Sequence, residues 1–138
     1  MITEEQKQAL LEASRIVQTR AYAPYSKYSV GAAVLGEDNK IYCGVNIENA
    51  SYGLTVCAER SAIFTMVITG VLNFRAIAVC GEGHGTPCGA CRQVMVEFAG
   101  DVPIYLTNRK GDVRETTLHH LLPDHFGPAN LARGQASS

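Results

Sequence analysis

No run of five like charges occurs in the sequence, and 12 basic residues stand against 13 acidic ones for a formal charge of -1. A protein that grips polynucleotide phosphates wants a basic face. The balance therefore argues against nucleic acid and for a small, weakly charged partner. No apolar stretch reaches the roughly 20 residues of a membrane-spanning helix, because Thr, Gly or Arg interrupts each one. The opening MITEEQKQAL lacks a basic region followed by an apolar one, so no secretory signal is expected. Neither an internal repeat nor linker-like composition divides the chain. The five cysteines, Cys43, Cys57, Cys80, Cys88 and Cys91, are an odd number and make no disulfide framework. They point to reducing, cytoplasmic surroundings, where clustered thiols serve as ligands or nucleophiles.

What is present is enough for one domain: 138 residues, 46% of them apolar, can bury a core of useful size. The expected domain spans residues 1–127, with 128–138 as a loosely ordered tail by composition. Thr3-Glu4-Glu5-Gln6 has the form of a capping box. The segment after it, to about Arg20, carries Leu10, Ala13, Val17 and Ala21 on one stripe and reads as an amphipathic helix. SVGAAVL and IYCGVNIE, separated by GEDNK, read as an antiparallel hairpin. A helix from about Val56 to Thr69 follows, then the strand FRAIAVCG, the helix CGACRQVMVEFA, the strand PIYLTN, a turn, the edge strand VRETT and a helical turn at LHHLLP. The order is α-β-β-α-β-α-β-β. A parallel crossover between two hairpins predicts a mixed five-stranded sheet in a three-layer α/β/α domain. The helix containing SAIFTMVITGVL is apolar nearly all round, which calls for burial on every side. One sheet covers one face, so the other is expected to meet a second copy of the chain.

Two short stretches carry chemistry. Cys88 and Cys91, three apart at a predicted helix start, place both sulfurs on one face of its first turn. Cys57 also falls at a helix start, and the unpaired amides and positive dipole end there lower thiol pKa values. Three thiolates suit a zinc ion with its fourth tetrahedral position open, the mark of a catalytic site. Glu59, two residues past Cys57, can lean over that open position without joining the ligands. A water activated there needs such a proton acceptor, and shuttling of this kind typically contributes about 10²–10⁴-fold in rate. Arg60 can offset the thiolate charge by hydrogen-bonding the sulfurs; Arg92, beside Cys91, is a weaker candidate for the same task.

Cys57-Ala58-Glu59 and Pro87-Cys88-Gly89-Ala90-Cys91 match the zinc nucleobase deaminase signature H-x-E…P-C-x-x-C, with Cys in place of His. With YAPYSKYSVGAA, GVNIENASYG, CAERSA, PCGACRQ and LLPDHF in order, the chain from about Ala21 to Phe126 resembles the small, homotetrameric cytidine deaminases. The resemblance implies zinc held by Cys57, Cys88 and Cys91, with Glu59 as the proton shuttle. It implies Asn46 and Glu48 on the ribose hydroxyls and the Ala58 backbone on the base. Tyr52 and Phe126 would wall the site, Phe126 from a neighbouring subunit. Tyr28 stands where the family often has Phe and keeps a ring for the base. The implied reaction is hydrolysis of cytidine and deoxycytidine to uridine and deoxyuridine with loss of ammonia, in pyrimidine salvage. The residues support the sugar site independently: Asn46 and Glu48 share a strand face, an ionised Glu48 can accept two hydroxyl hydrogen bonds, and its charge disfavours a phosphate.

Other readings stand beside this one. The cysteines could hold a structural zinc or be three buried thiols, with His84 as a fourth ligand in principle. Cys43 and Cys80 read as small buried hydrophobes, and Asn46 and Glu48 could be polar strand-end residues. A deaminase of a cytosine-containing aminonucleoside antibiotic, a zinc-stabilised binding module and a polynucleotide editor are the competing functions. The Asn46/Glu48 pair, Glu59 and the neutral charge balance argue against them in turn.

Overall fold

The computed structural model describes residues 1–83 and 85–131. The first helix, α1 (Glu4–Gln18), starts in the expected capping box: Gln6 N–H donates to Thr3 Oγ1 and Thr3 N–H to Gln6 Oε1, each at 3.0 Å. β1 (Gly31–Gly36) and β2 (Ile41–Val45) form the antiparallel hairpin. A single 3-10 turn at Tyr52–Leu54, not foreseen in the sequence, leads to α2 (Ala58–Ile68). β3 (Phe74–Cys80), α3 (Gly89–Phe98), β4 (Pro103–Thr107), β5 (Val113–Thr117) and the short α4 (Leu118–Leu121) follow. Residues 128–131 have helical backbone; the rest of the expected tail and His84 lie outside the described residues.

The sheet order is β2-β1-β3-β4-β5. β3 and β4 run parallel, as their connection through α3 requires, and the other pairs are antiparallel. Alternation along β1 divides the core in two. Ala32 and Val34 join Ile63, Met66, Ile77 and Met95 beneath α2 and α3, whereas Ala33 and Leu35 join Leu10, Leu11 and Ala76 beneath α1. The domain is the three-layer α/β/α arrangement read from the sequence.

The buried stripe of α1 differs from the expected one. Leu10, Leu11, Ser14 and Gln18 face the sheet, while Ala13 and Val17 are only half-buried. The reason is Gly31. A Cβ there would lie 2.3 Å from the Ser14 carbonyl oxygen, so the helix backbone rests directly on the strand. The two polar residues carried inward are paired. Ser14 Oγ donates to Leu11 O at 2.7 Å; Gln18 Nε2 donates to Ser29 O at 2.9 Å, and Gln18 Oε1 accepts from Arg109 Nε at 3.2 Å. Gly44 makes the matching close approach on the other face, where a Cβ would lie 2.2 Å from the Ala62 nitrogen of α2. β2 thereby sets the depth at which α2, and the residues at its start, sit in the molecule.

Candidate active site

The starts of α2 and α3 meet. Cys57 occupies the N-cap position of α2 and Cys88 that of α3, and Cys91 lies in the first turn of α3. The Cys57 and Cys88 sulfurs are 3.9 Å apart and those of Cys88 and Cys91 3.4 Å apart. All three lie within 4.8 Å of one another, a group able to hold a metal ion. A tetrahedron with zinc–sulfur bonds of about 2.3 Å has edges of about 3.8 Å, which the 3.4 and 3.9 Å separations bracket.

Electrostatics point the same way. The Cys57 thiol is lowered to about 5, first by a hydrogen bond from Cys91 and then by Arg60. Cys91 is held well above its usual range by that same contact and by burial. One thiolate thus opposes the next, and a shared divalent cation is what stabilises all three together. Arg60 reaches the sulfurs: its Nη2 lies 3.5 Å from Cys57 Sγ, and the sulfurs hold the guanidinium firmly charged.

Glu59, in the first turn of α2, is only 6% exposed. Burial lifts its carboxyl to about 7, with the Cys57 charge adding to the rise. It opens on a cavity of about 260 Å³ that Cys57, Cys88, Ala58, Asn46 and Tyr28 also line. The glycines at 81, 83 and 85 form part of its wall, and these went unnoticed in the sequence beyond their flexibility. The Tyr28 hydroxyl accepts the Gly83 N–H at 3.2 Å.

A second cavity, of about 380 Å³, shares Thr55 with the first and is lined by Glu48, Tyr52, Tyr25 and Ser26. Asn46 and Glu48 therefore stand at neighbouring hollows rather than in one. Both are held by the segment before β1. Asn46 Oδ1 accepts from Val30 N–H at 2.9 Å and its Nδ2 donates to Tyr28 O at 2.7 Å. Glu48 accepts from the Tyr25 and Ser26 amides at 2.9 and 3.2 Å and, closely, from the Ser26 hydroxyl. That hydroxyl holds its carboxyl below the usual range, so Glu48 stays ionised. Tyr25 and Ser26 carried no signal of this in the sequence, since their partner lies more than twenty positions away. Phe126 lines neither cavity. It is 60% exposed, its backbone oxygen accepting Gln93 Nε2 at 2.8 Å.

Arg92 does not act on the sulfurs. Its Nε donates to Pro87 O at 2.8 Å, Nη1 to Leu121 O at 2.7 Å and Nη2 to Thr86 Oγ1 at 2.8 Å. Cys80 is buried and Cys43 half-buried, and burial pushes both thiols up, as fits packing residues.

Residues 4–107 match the model of the cytidine and deoxycytidylate deaminase zinc-binding region. The chain belongs to that family. A cytidine deaminase from Sporosarcina psychrophila is 52% identical over 126 residues, 89% of this chain and 93% of that protein. One from Mycobacterium tuberculosis is 44% identical over 116 residues, 82% of this chain and 84% of that one. Among solved structures, the cytidine deaminase of Burkholderia pseudomallei superposes with a TM-score of 0.83 at 50% identity, covering 91% of this chain and all of that one. The fold expected from the sequence is that of these relatives, and the expected zinc site is that of the family.

Proposed function

We propose that the protein is a zinc-dependent hydrolase that deaminates cytidine and deoxycytidine to uridine and deoxyuridine, in pyrimidine salvage. The observation that carries this is a buried carboxylate, lifted to about 7, beside three sulfurs at zinc spacing. Cys57, Cys88 and Cys91 would hold the metal. Bound there, zinc supplies a Lewis acid that lowers the pKa of water toward roughly 7. Glu59 takes one proton from the attacking water as its oxygen bonds to C4 and gives it to ring N3; it then takes the second proton from the hydroxyl now on C4 and delivers it to the amine, which leaves as ammonia as the C4–N bond breaks. A group whose pKa lies near the working pH suits both transfers. Arg60 keeps the sulfurs' negative charge from quenching the metal's pull on electrons.

Asn46 and Glu48 recognise the sugar hydroxyls, Ala58 contacts the base through its backbone, and the rings of Tyr28 and Tyr52 flank the nucleoside. The permanent charge on Glu48 supports a nucleoside over its monophosphate, since a phosphate beside it is repelled. The protein works as a cytoplasmic homotetramer. Phe64, Ile68 and Leu54 leave an apolar face on and beside α2 that a second copy covers, and Phe126, away from its own chain's cavities, reaches into a neighbour's site. Among the described residues, no helix is long and apolar enough to cross a membrane.

The test is ultraviolet assay of zinc-loaded protein with cytidine, deoxycytidine, cytidine monophosphate and a cytosine aminonucleoside antibiotic. The two nucleosides turn over and the others lag far behind. Glu59→Ala lowers kcat by about 10²–10⁴-fold. A variant retaining most activity, or comparable turnover of the monophosphate, overturns the respective part.

A further inference from the structure

The three cysteines are not equally confined. Cys91 is fully buried in α3, and Cys57 is half-buried with Arg60 on its sulfur. Cys88 is exposed, at the end of the loop after β3. The glycines on either side of its turn, at 85 and 89, pack against nothing: a Cβ at either would meet no atom within 4 Å. The stretch leading into Cys88 is held instead by the Arg92 side chain. The Arg92 backbone N–H donates to Cys88 O at 3.0 Å. Its guanidinium turns back to Pro87 O and Thr86 Oγ1, each at 2.8 Å, and its third nitrogen reaches Leu121 O at 2.7 Å, just before the segment that carries Phe126. One side chain thus ties the approach to Cys88 to both α3 and the end of α4.

We propose that Arg92 is the positioning residue for the Cys88 ligand, acting by the geometry of its fork and not by its charge. This rests on the reading of the three cysteines as zinc ligands. A guanidinium has five donors in a rigid plane and can hold three acceptors at once, whereas an ammonium on a flexible stem cannot reproduce that arrangement. Without the fork, Cys88 samples positions away from the other two sulfurs, and metal affinity falls.

Zinc affinity, measured by competition with a chromophoric chelator, and the thiolate-to-metal absorption of the cobalt-loaded protein test this. Arg92→Ala weakens zinc binding by about 10–100-fold, the usual consequence of removing a residue that orients a ligand, and dims the cobalt–thiolate band. Arg92→Lys, which keeps the charge, does not restore either. Thr86→Val, which removes one acceptor and leaves Arg92 in place, weakens binding by a smaller factor and covers the case in which Arg92→Ala fails to fold. Wild-type affinity in Arg92→Ala or in Thr86→Val, or full recovery in Arg92→Lys, overturns the proposal. The deaminase reading is judged apart, by whether the wild-type protein loses cytidine turnover on chelation and regains it with zinc.

Discussion

Gly44 offers the sharpest test of how the fold carries the chemistry. It lies in β2, three strands from β4 and far in sequence from the cysteine pair, yet it decides where α2 rests. A methyl group added there would stand 2.2 Å from the Ala62 nitrogen, 2.6 Å from the Ser61 carbonyl carbon and 2.7 Å from the Ala58 carbonyl oxygen. All three neighbours are backbone, so no side chain can swing away. Ordinary contact begins at 3.4 Å, and α2 must retreat by roughly 1 Å. Overpacking of this sort costs about 1–3 kcal/mol, which for a domain of this size lowers Tm by about 3–12 °C. The functional effect is of similar size to the stability effect, about 2.7 kcal/mol for a hundredfold loss, because Cys57 and Glu59 ride on the start of the same helix. A misplacement of about 1 Å of a catalytic group can cost on the order of 10²-fold. The assay pairs thermal unfolding with kcat/KM for cytidine in Gly44→Ala, and uses Gly100→Ala, whose Cβ meets nothing within 4 Å, as the control. Native stability and turnover in Gly44→Ala would show that β2 does not set the depth of α2, and the reasoning fails.

Two further outcomes follow from the same geometry. Glu59 must be ionised to accept a proton, and burial lifts it to about 7, so kcat/KM falls as pH drops through its pKa. A bound divalent cation favours the charged carboxylate, which sets the acid limb below 7; a profile flat from about pH 5 to about 8 refutes the role. Ile68, 84% exposed at the end of α2, becomes buried if a second copy covers that face. Ile68→Asp then places an unpaired charge in an apolar contact, a penalty of several kcal/mol, and light scattering should report smaller species at micromolar concentration. An unchanged assembly size argues against that interface.

Much of the site was legible because its signals are local. Cys57 and Glu59 are two positions apart at one helix start, and Cys88 and Cys91 share the first turn of another. Helix starts have recognisable caps and punctuation, so spacing placed the sulfurs and the carboxylate at the starts of their helices. The hairpin and the parallel crossover were legible for the same reason, since short connections leave a strand few ways to pair. The stripe of α1 was not, because the residue that turned the helix inward, Gly31, lies thirteen positions beyond its end and acts by lacking a side chain.

Arg92, the weaker candidate for the sulfurs, turns elsewhere for a related cause. Adjacency to Cys91 suggested the sulfurs, but a helix sends neighbouring side chains in different directions, and Arg92 points at Pro87, Thr86 and Leu121. Likewise, the sequence could supply an ionisable Glu48 but not Ser26 as the group that keeps it ionised. What the sequence by itself determined is the list of reactive groups and their order along each helix, because covalent spacing and helical pitch settle these within a few residues. Tertiary structure alone decided how closely two helix starts converge, how deeply Glu59 is buried and which loops are clamped. Those depend on contacts between segments tens of residues apart, and only the packed core brings them together.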